Sequence, residues 1–151
     1  MLTTIYSQLV LAAAVLVVSF ALWKGDEPER MGAAAYALAY LGALMTPDSG
    51  NLSVPQWSLM AMDVVMLAVF IGLALHSRRS WLVWASAFQA LIVTGHFLVA
   101  ANLRPPSNAF ATVINMSNYG LLIAMAVGTF WVWQERRVSS MGSDNARPPR
   151  L

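Results

Sequence analysis

Apolar positions in this chain are gathered into five long runs, at about 2–23, 28–46, 57–76, 81–103 and 109–133, with short polar breaks between them. A hydrocarbon core of about 30 Å needs about 20 helical residues at about 1.5 Å each, so each run predicts a membrane-crossing helix. The first run lacks a positively charged leading region and an evident cleavage site before Lys24. It therefore reads as a retained helix and not as a removable signal peptide. The second opens on Asp26, Glu27, Pro28 and Glu29, an acidic first turn with proline near its start, and its wholly apolar part, 31–45, is short. Pro47, Gly50 and Pro55 mark one long connection, and Arg104, Pro105 and Pro106 break the chain before the fifth run. The connection from Ser77 to Ser80 is tight. Beyond about Val138 the residues are mostly Ser, Gly, Asn, Arg and Pro, too polar to bury a core. The expected organisation is a five-span domain over 1–137 and a disordered tail over 138–151.

Basic residues orient the bundle, because lysines and arginines of short connections stay on the cytoplasmic side. With the amino terminus outside, Lys24, Arg30, Arg78, Arg79, Arg136, Arg137, Arg147 and Arg150 are all cytoplasmic and only Arg104 is external. Four crossings would put Arg78 and Arg79 opposite Lys24 and Arg30, so the charges favour five. Indole rings prefer the headgroup level, and the tryptophans fit the same scheme: Trp23, Trp81, Trp84, Trp131 and Trp133 at inner ends, Trp57 at an outer one. The fold class expected is an all-α, five-helix integral membrane bundle with its amino terminus outside and its carboxyl terminus cytoplasmic.

Composition adds exclusions. Residues are 58% hydrophobic and 11% charged, and 151 residues leave no room for a second domain. With no cysteine, a disulfide framework, thiol redox chemistry and iron–sulfur ligation are excluded. The positive balance is accounted for by loop orientation, so no nucleic-acid partner is expected. Small residues recur every fourth position, as Ala35, Ala39 and Ala43 and as Gly120, Ala124 and Gly128, rows that let helices approach closely within a chain or in a homo-oligomer.

The candidate chemistry starts at Asp63, an ionisable group about six residues inside the third run, where an unpaired charge costs a few kcal/mol. The tight turn between the third and fourth runs makes residues equidistant from it level, which sets Asp63 beside position 94 and His96 about 3 Å from that level. Asp63 and His96 are expected to meet. Counted from the outer ends, Asn115 and Asn118 on the fifth run and Tyr40 on the second reach the same layer, while Gln89 shares the face of His96 two turns deeper. Together they predict a polar pocket in the outer half of the membrane, closed inward by Leu67, Phe70 and Leu122. Taken as structure, the aspartate and histidine pin two helices together. Taken as function, they bind a ligand or a proton, histidine being the side chain that changes charge near neutral pH. Singly, the amides read as helix bridges and Tyr36 and Tyr40 as packing residues or interfacial anchors.

A bis-histidine haem between His76 and His96 is excluded by depth, since the two lie about 22 Å apart along the bundle. Phosphate-cradling glycine loops, HExxH and GxSxG signatures and paired acidic motifs for magnesium are missing. No metal and no cofactor is expected, and the Asn51, Leu52, Ser53 triplet is treated as a chance sequon. The Arg78, Arg79, Ser80, Trp81 to Trp84 turn, with Gln89 and His96 on the following helix, resembles a group of short uncharacterised multi-pass inner-membrane proteins of bacteria. That resemblance covers mainly the last three runs and implies a bacterial inner membrane without implying an activity. The expected function is that of a non-enzymatic accessory or assembly subunit of a larger membrane complex, partnered by the bilayer and by another membrane protein or its own copies. The alternatives are a small transporter or proton-linked binding protein using Asp63 and His96, and a membrane enzyme acting on a lipid or quinone with His96 as base.

Overall fold

The computed structural model describes residues 5–46, 56–101, 103 and 107–145. Helix α1 spans Ile5–Lys24, α2 Glu27–Met45, α3 Trp57–Ser77, α4 Ser80–Ala100 and α5 Ser107–Asn145. Among the described residues the chain is all-α and 93% helical, with no strand. Consecutive helices are neighbours and α5 returns to α1, so the five form a closed ring, with α5 also reaching α2 across it. Helices α3, α4 and the 109–140 part of α5 are each long and apolar enough to cross a membrane. The apolar stretch described in α1, Gln8–Lys24, is shorter, and α2 carries Glu27 and Glu29 in its first turn.

Local chemistry explains where the helices begin and end. The Glu29 carboxylate folds back to accept from the backbone N–H of Asp26 at 3.1 Å, closing a capping box over the start of α2, where Pro28 costs nothing because first-turn N–H groups have no helical partner. Helix α3 stops where Arg78 takes a left-handed backbone (φ 53°) and donates its N–H to the Ala74 carbonyl at 3.1 Å. Two residues later α4 has begun, which fixes α3 and α4 as an antiparallel pair. Hydroxyls along the helices bond within their own helix: Ser77 to the Leu73 carbonyl, Ser86 to Leu82 and Thr129 to Met125. No polar hydrogen is then offered to an apolar surrounding.

The core is a continuous apolar cluster whose fully enclosed members include Ala21, Ala33, Phe70, Leu82, Ala85, Leu121 and Met125. The outer surface is also apolar, with Leu16, Val65, Leu75, Ile123 and Trp131 among many large side chains more than 60% exposed. A water-soluble bundle would present a polar outer face instead.

Two expectations change here. Helix α5 continues past Val138 to Asn145, where a disordered tail was expected. Its exposed turns use the hydroxyls of Ser139 and Ser140, bonded to the carbonyls of Glu135 and Arg137, so a polar composition did not prevent the helix from running on. Trp81, expected among the interfacial indoles, turns its ring into the core, 5% exposed. The breaks at Pro47, Gly50 and Pro55 and at Arg104, Pro105 and Pro106, the Asn51 triplet and the last six residues of the tail lie outside the described residues.

Candidate functional site

Asp63, Gln89 and His96 come together between α3 and α4. The antiparallel turn at Arg78 and Arg79 brings the first half of α3 against the second half of α4, which puts these three side chains within reach of one another. The Gln89 side-chain N–H donates to Asp63 Oδ1 at 2.8 Å and to the Asp63 backbone carbonyl at 3.2 Å. His96 Nε2 lies 3.0 Å from Asp63 Oδ2. Each carboxylate oxygen therefore has its own partner from α4. Gln89 is fully enclosed, whereas the Asp63 and His96 side chains keep 21% and 16% of their surface open. The Gln89 carbonyl oxygen is buried without a hydrogen-bond partner. Rotating the amide would turn that oxygen toward the carboxylate and withdraw the donor from the Asp63 backbone, so the observed orientation is the better of two imperfect ones.

The other members of the expected pocket have surroundings of their own. Asn115 is exposed on the outer side of α5. The Asn118 amide donates to the Ile114 carbonyl one turn back on its own helix, at 3.0 Å. Tyr40 stacks on Tyr36 within α2, ring centres 6.2 Å apart. Gly95 of α4 lies against Phe110 and Ile114 of α5. Phe70 and Leu122 are buried as expected, and Leu67 is half-buried. His76 is exposed, far from His96. Among the described residues, no group of three or more His, Asp or Glu side chains is placed to hold a metal ion.

A second polar assembly, at the opposite end of the bundle, was not anticipated. Glu29 is fully enclosed; its Oε1 accepts from the Trp81 indole N–H at 2.9 Å while its Oε2 caps α2. Arg79 sits among three carboxylates, 3.3 Å from Asp26, 3.6 Å from Glu135 and 4.0 Å from Glu29. Arg136 pairs with Asp26 at 3.1 Å and also donates to the Lys24 carbonyl, which ties in the end of α1. Trp81 reaches Glu29 only because glycines flank it: a Cβ on Gly128 would collide with the root of the indole, and one on Gly32 would lie 2.8 Å from its far edge. The acids of the α2 cap and the arginines of the α3–α4 turn were visible as cap and orientation charges. That both turns share one end of the bundle was enough to pair them.

The two assemblies are separated by the enclosed side chains of Phe70, Leu82, Leu121 and Met125. Chemically, the Asp63 cluster can exchange a proton between carboxylate and imidazole or accept a donor at the Gln89 oxygen, and the second assembly is a set of charge-assisted locks. Comparison of the chain with protein-family models, with curated proteins and with solved structures returns no match.

Proposed function

We propose that the chain is a bacterial inner-membrane protein that crosses the bilayer five times, amino terminus outside, and serves as a non-enzymatic accessory or assembly subunit of a larger membrane complex. The observation that carries this reading is how the polar groups within the bundle are used. Asp63 is held by Gln89 and His96, Glu29 by Trp81 and its own cap, and Arg79 by three acids, so nearly all the ionic chemistry goes into joining helices. The outside, by contrast, offers large apolar side chains suited to lipid and to other helices. Extraction in a mild detergent tests the role: the chain is expected to migrate in a particle containing other membrane proteins, and migration only as a lone small particle removes the reading.

One observation favours a second reading, proton-linked binding or transport at Asp63 and His96: both keep open surface, and the adjacent Gln89 oxygen lacks a donor. Under that reading, replacing Asp63 with Asn or His96 with Gln abolishes pH-dependent uptake or binding while membrane abundance is kept. Unchanged activity in both variants rejects it.

A further inference from the structure

A groove of about 610 Å³ runs between α4 and α5 on the outer side of the bundle, away from the Asp63 cluster. Ile123, Ala124 and Val127 of α5 line its length between Trp84 and Trp131, Phe88 packs on Gly120 and Trp81 on Gly128, and Arg79, Ser80 and Glu135 form its mouth. From Gly120 to Glu135 it extends about 22 Å along the helix, half of a bilayer that measures about 40–45 Å with its headgroups. The apolar length ends where the charges begin, so one end has the character of acyl chains and the other of headgroups.

We propose that this groove binds one phospholipid whose headgroup carries both a phosphate and an ammonium. The mouth sets the headgroup chemistry. Arg79 and Glu135 meet there as an ion pair at 3.6 Å beside the Ser80 hydroxyl, so a headgroup that brings a phosphate to the guanidinium and an ammonium to the largely exposed carboxylate satisfies both members at once. A headgroup with negative charge alone would engage Arg79 and leave Glu135 without a cation. The exposed rings of Trp84 and Trp131 add faces that attract a cation. The acyl chain lies along Ile123, Ala124 and Val127 between the two tryptophans, where Ala124 leaves room that a larger side chain would fill. This inference rests on the membrane-spanning reading and is independent of the subunit role.

The test uses the full chain, delipidated in mild detergent and offered equal amounts of phosphatidylethanolamine and phosphatidylglycerol with matched acyl chains, with retained lipid counted by native mass spectrometry. One phosphatidylethanolamine per chain is expected. Ala124→Phe is expected to lose it at unchanged helical content, and Glu135→Gln to keep a lipid but lose headgroup preference by up to about fivefold, the range for a largely exposed ion pair. Phosphatidylglycerol held equally well by the native chain, no lipid at unit stoichiometry, or unchanged preference in Glu135→Gln overturns the proposal. So does a groove that cross-links to another protein's helix while carrying no lipid. Release of the chain from membranes by alkaline washing would instead defeat the membrane reading itself, so the two failures are distinguishable.

Discussion

If Asp63 serves to join α3 to α4, replacing it with Asn should be nearly harmless, whereas Leu should not. An asparagine at this position keeps its carbonyl oxygen in place of Oδ1 to accept from Gln89, and offers an amide N–H in place of Oδ2 to His96 Nε2, which then takes the tautomer that accepts. Both interhelical bonds survive and a buried charge is removed. Leucine leaves the Gln89 amide with only its longer contact, 3.2 Å to the backbone, and His96 Nε2 with none. Interhelical hydrogen bonds in membrane proteins average about 0.6 kcal/mol and reach about 1.7 kcal/mol, so losing two predicts about 1–3 kcal/mol. His96→Leu should cost about half of that, and the Asp63→Leu, His96→Leu double variant less than the sum, because the shared bond is lost only once. Reversible unfolding in mixed micelles of a mild detergent and dodecyl sulfate, followed by circular dichroism, gives the four free energies. An Asp63→Asn variant as unstable as Asp63→Leu would show that the negative charge itself is required and would refute the reasoning.

Three further outcomes follow from the same geometry. Glu29→Gln keeps the shape but places one N–H against either the Trp81 indole donor or the Asp26 amide, and should lower stability by about 1–3 kcal/mol in the same unfolding assay. Gly128→Val should displace Trp81 at a cost of about 1–3 kcal/mol, seen as a changed tryptophan emission maximum and a lower unfolding midpoint. Asn115→Ala, on an exposed surface of α5, should leave the unfolding midpoint within about 0.5 kcal/mol of the native chain.

The helices and the Asp63–His96 contact were legible because each rests on a one-dimensional rule. Apolar length marks a helix, and a two-residue turn makes levels on α3 and α4 countable from the sequence. Gln89 was legible as a member of the pocket on the face of His96, two turns deeper, but not as a direct partner of Asp63. It sits five residues from the level of Asp63, about 7 Å along the axis, a gap that long side chains close and residue counting does not. For Asn115, Asn118 and Tyr40 the limit is different: depth is readable along a helix, but the rotation of α2 and α5 about their axes is set by packing against distant residues. The row of Gly120, Ala124 and Gly128 was readable as a close approach, and Phe88 and Trp81 of the same chain fill it. Trp81, in the first turn of α4, read as an interfacial indole, but position along a helix does not say which way a ring faces. Here a buried acceptor on Glu29 and glycines on two other helices draw it inward.

The absence of cysteine from the chain makes side-selective labelling the most direct test of the five-pass arrangement on which the account depends. Single replacements Gln8→Cys, Ile123→Cys and Ser139→Cys, exposed to a membrane-impermeant maleimide in intact cells and in inverted vesicles, report the outer end of α1, the middle of α5 and its inner end. The account predicts labelling of Gln8→Cys from outside only, of Ser139→Cys from inside only, and of Ile123→Cys from neither. Labelling of the first and last from the same side, or ready labelling of all three, would contradict it.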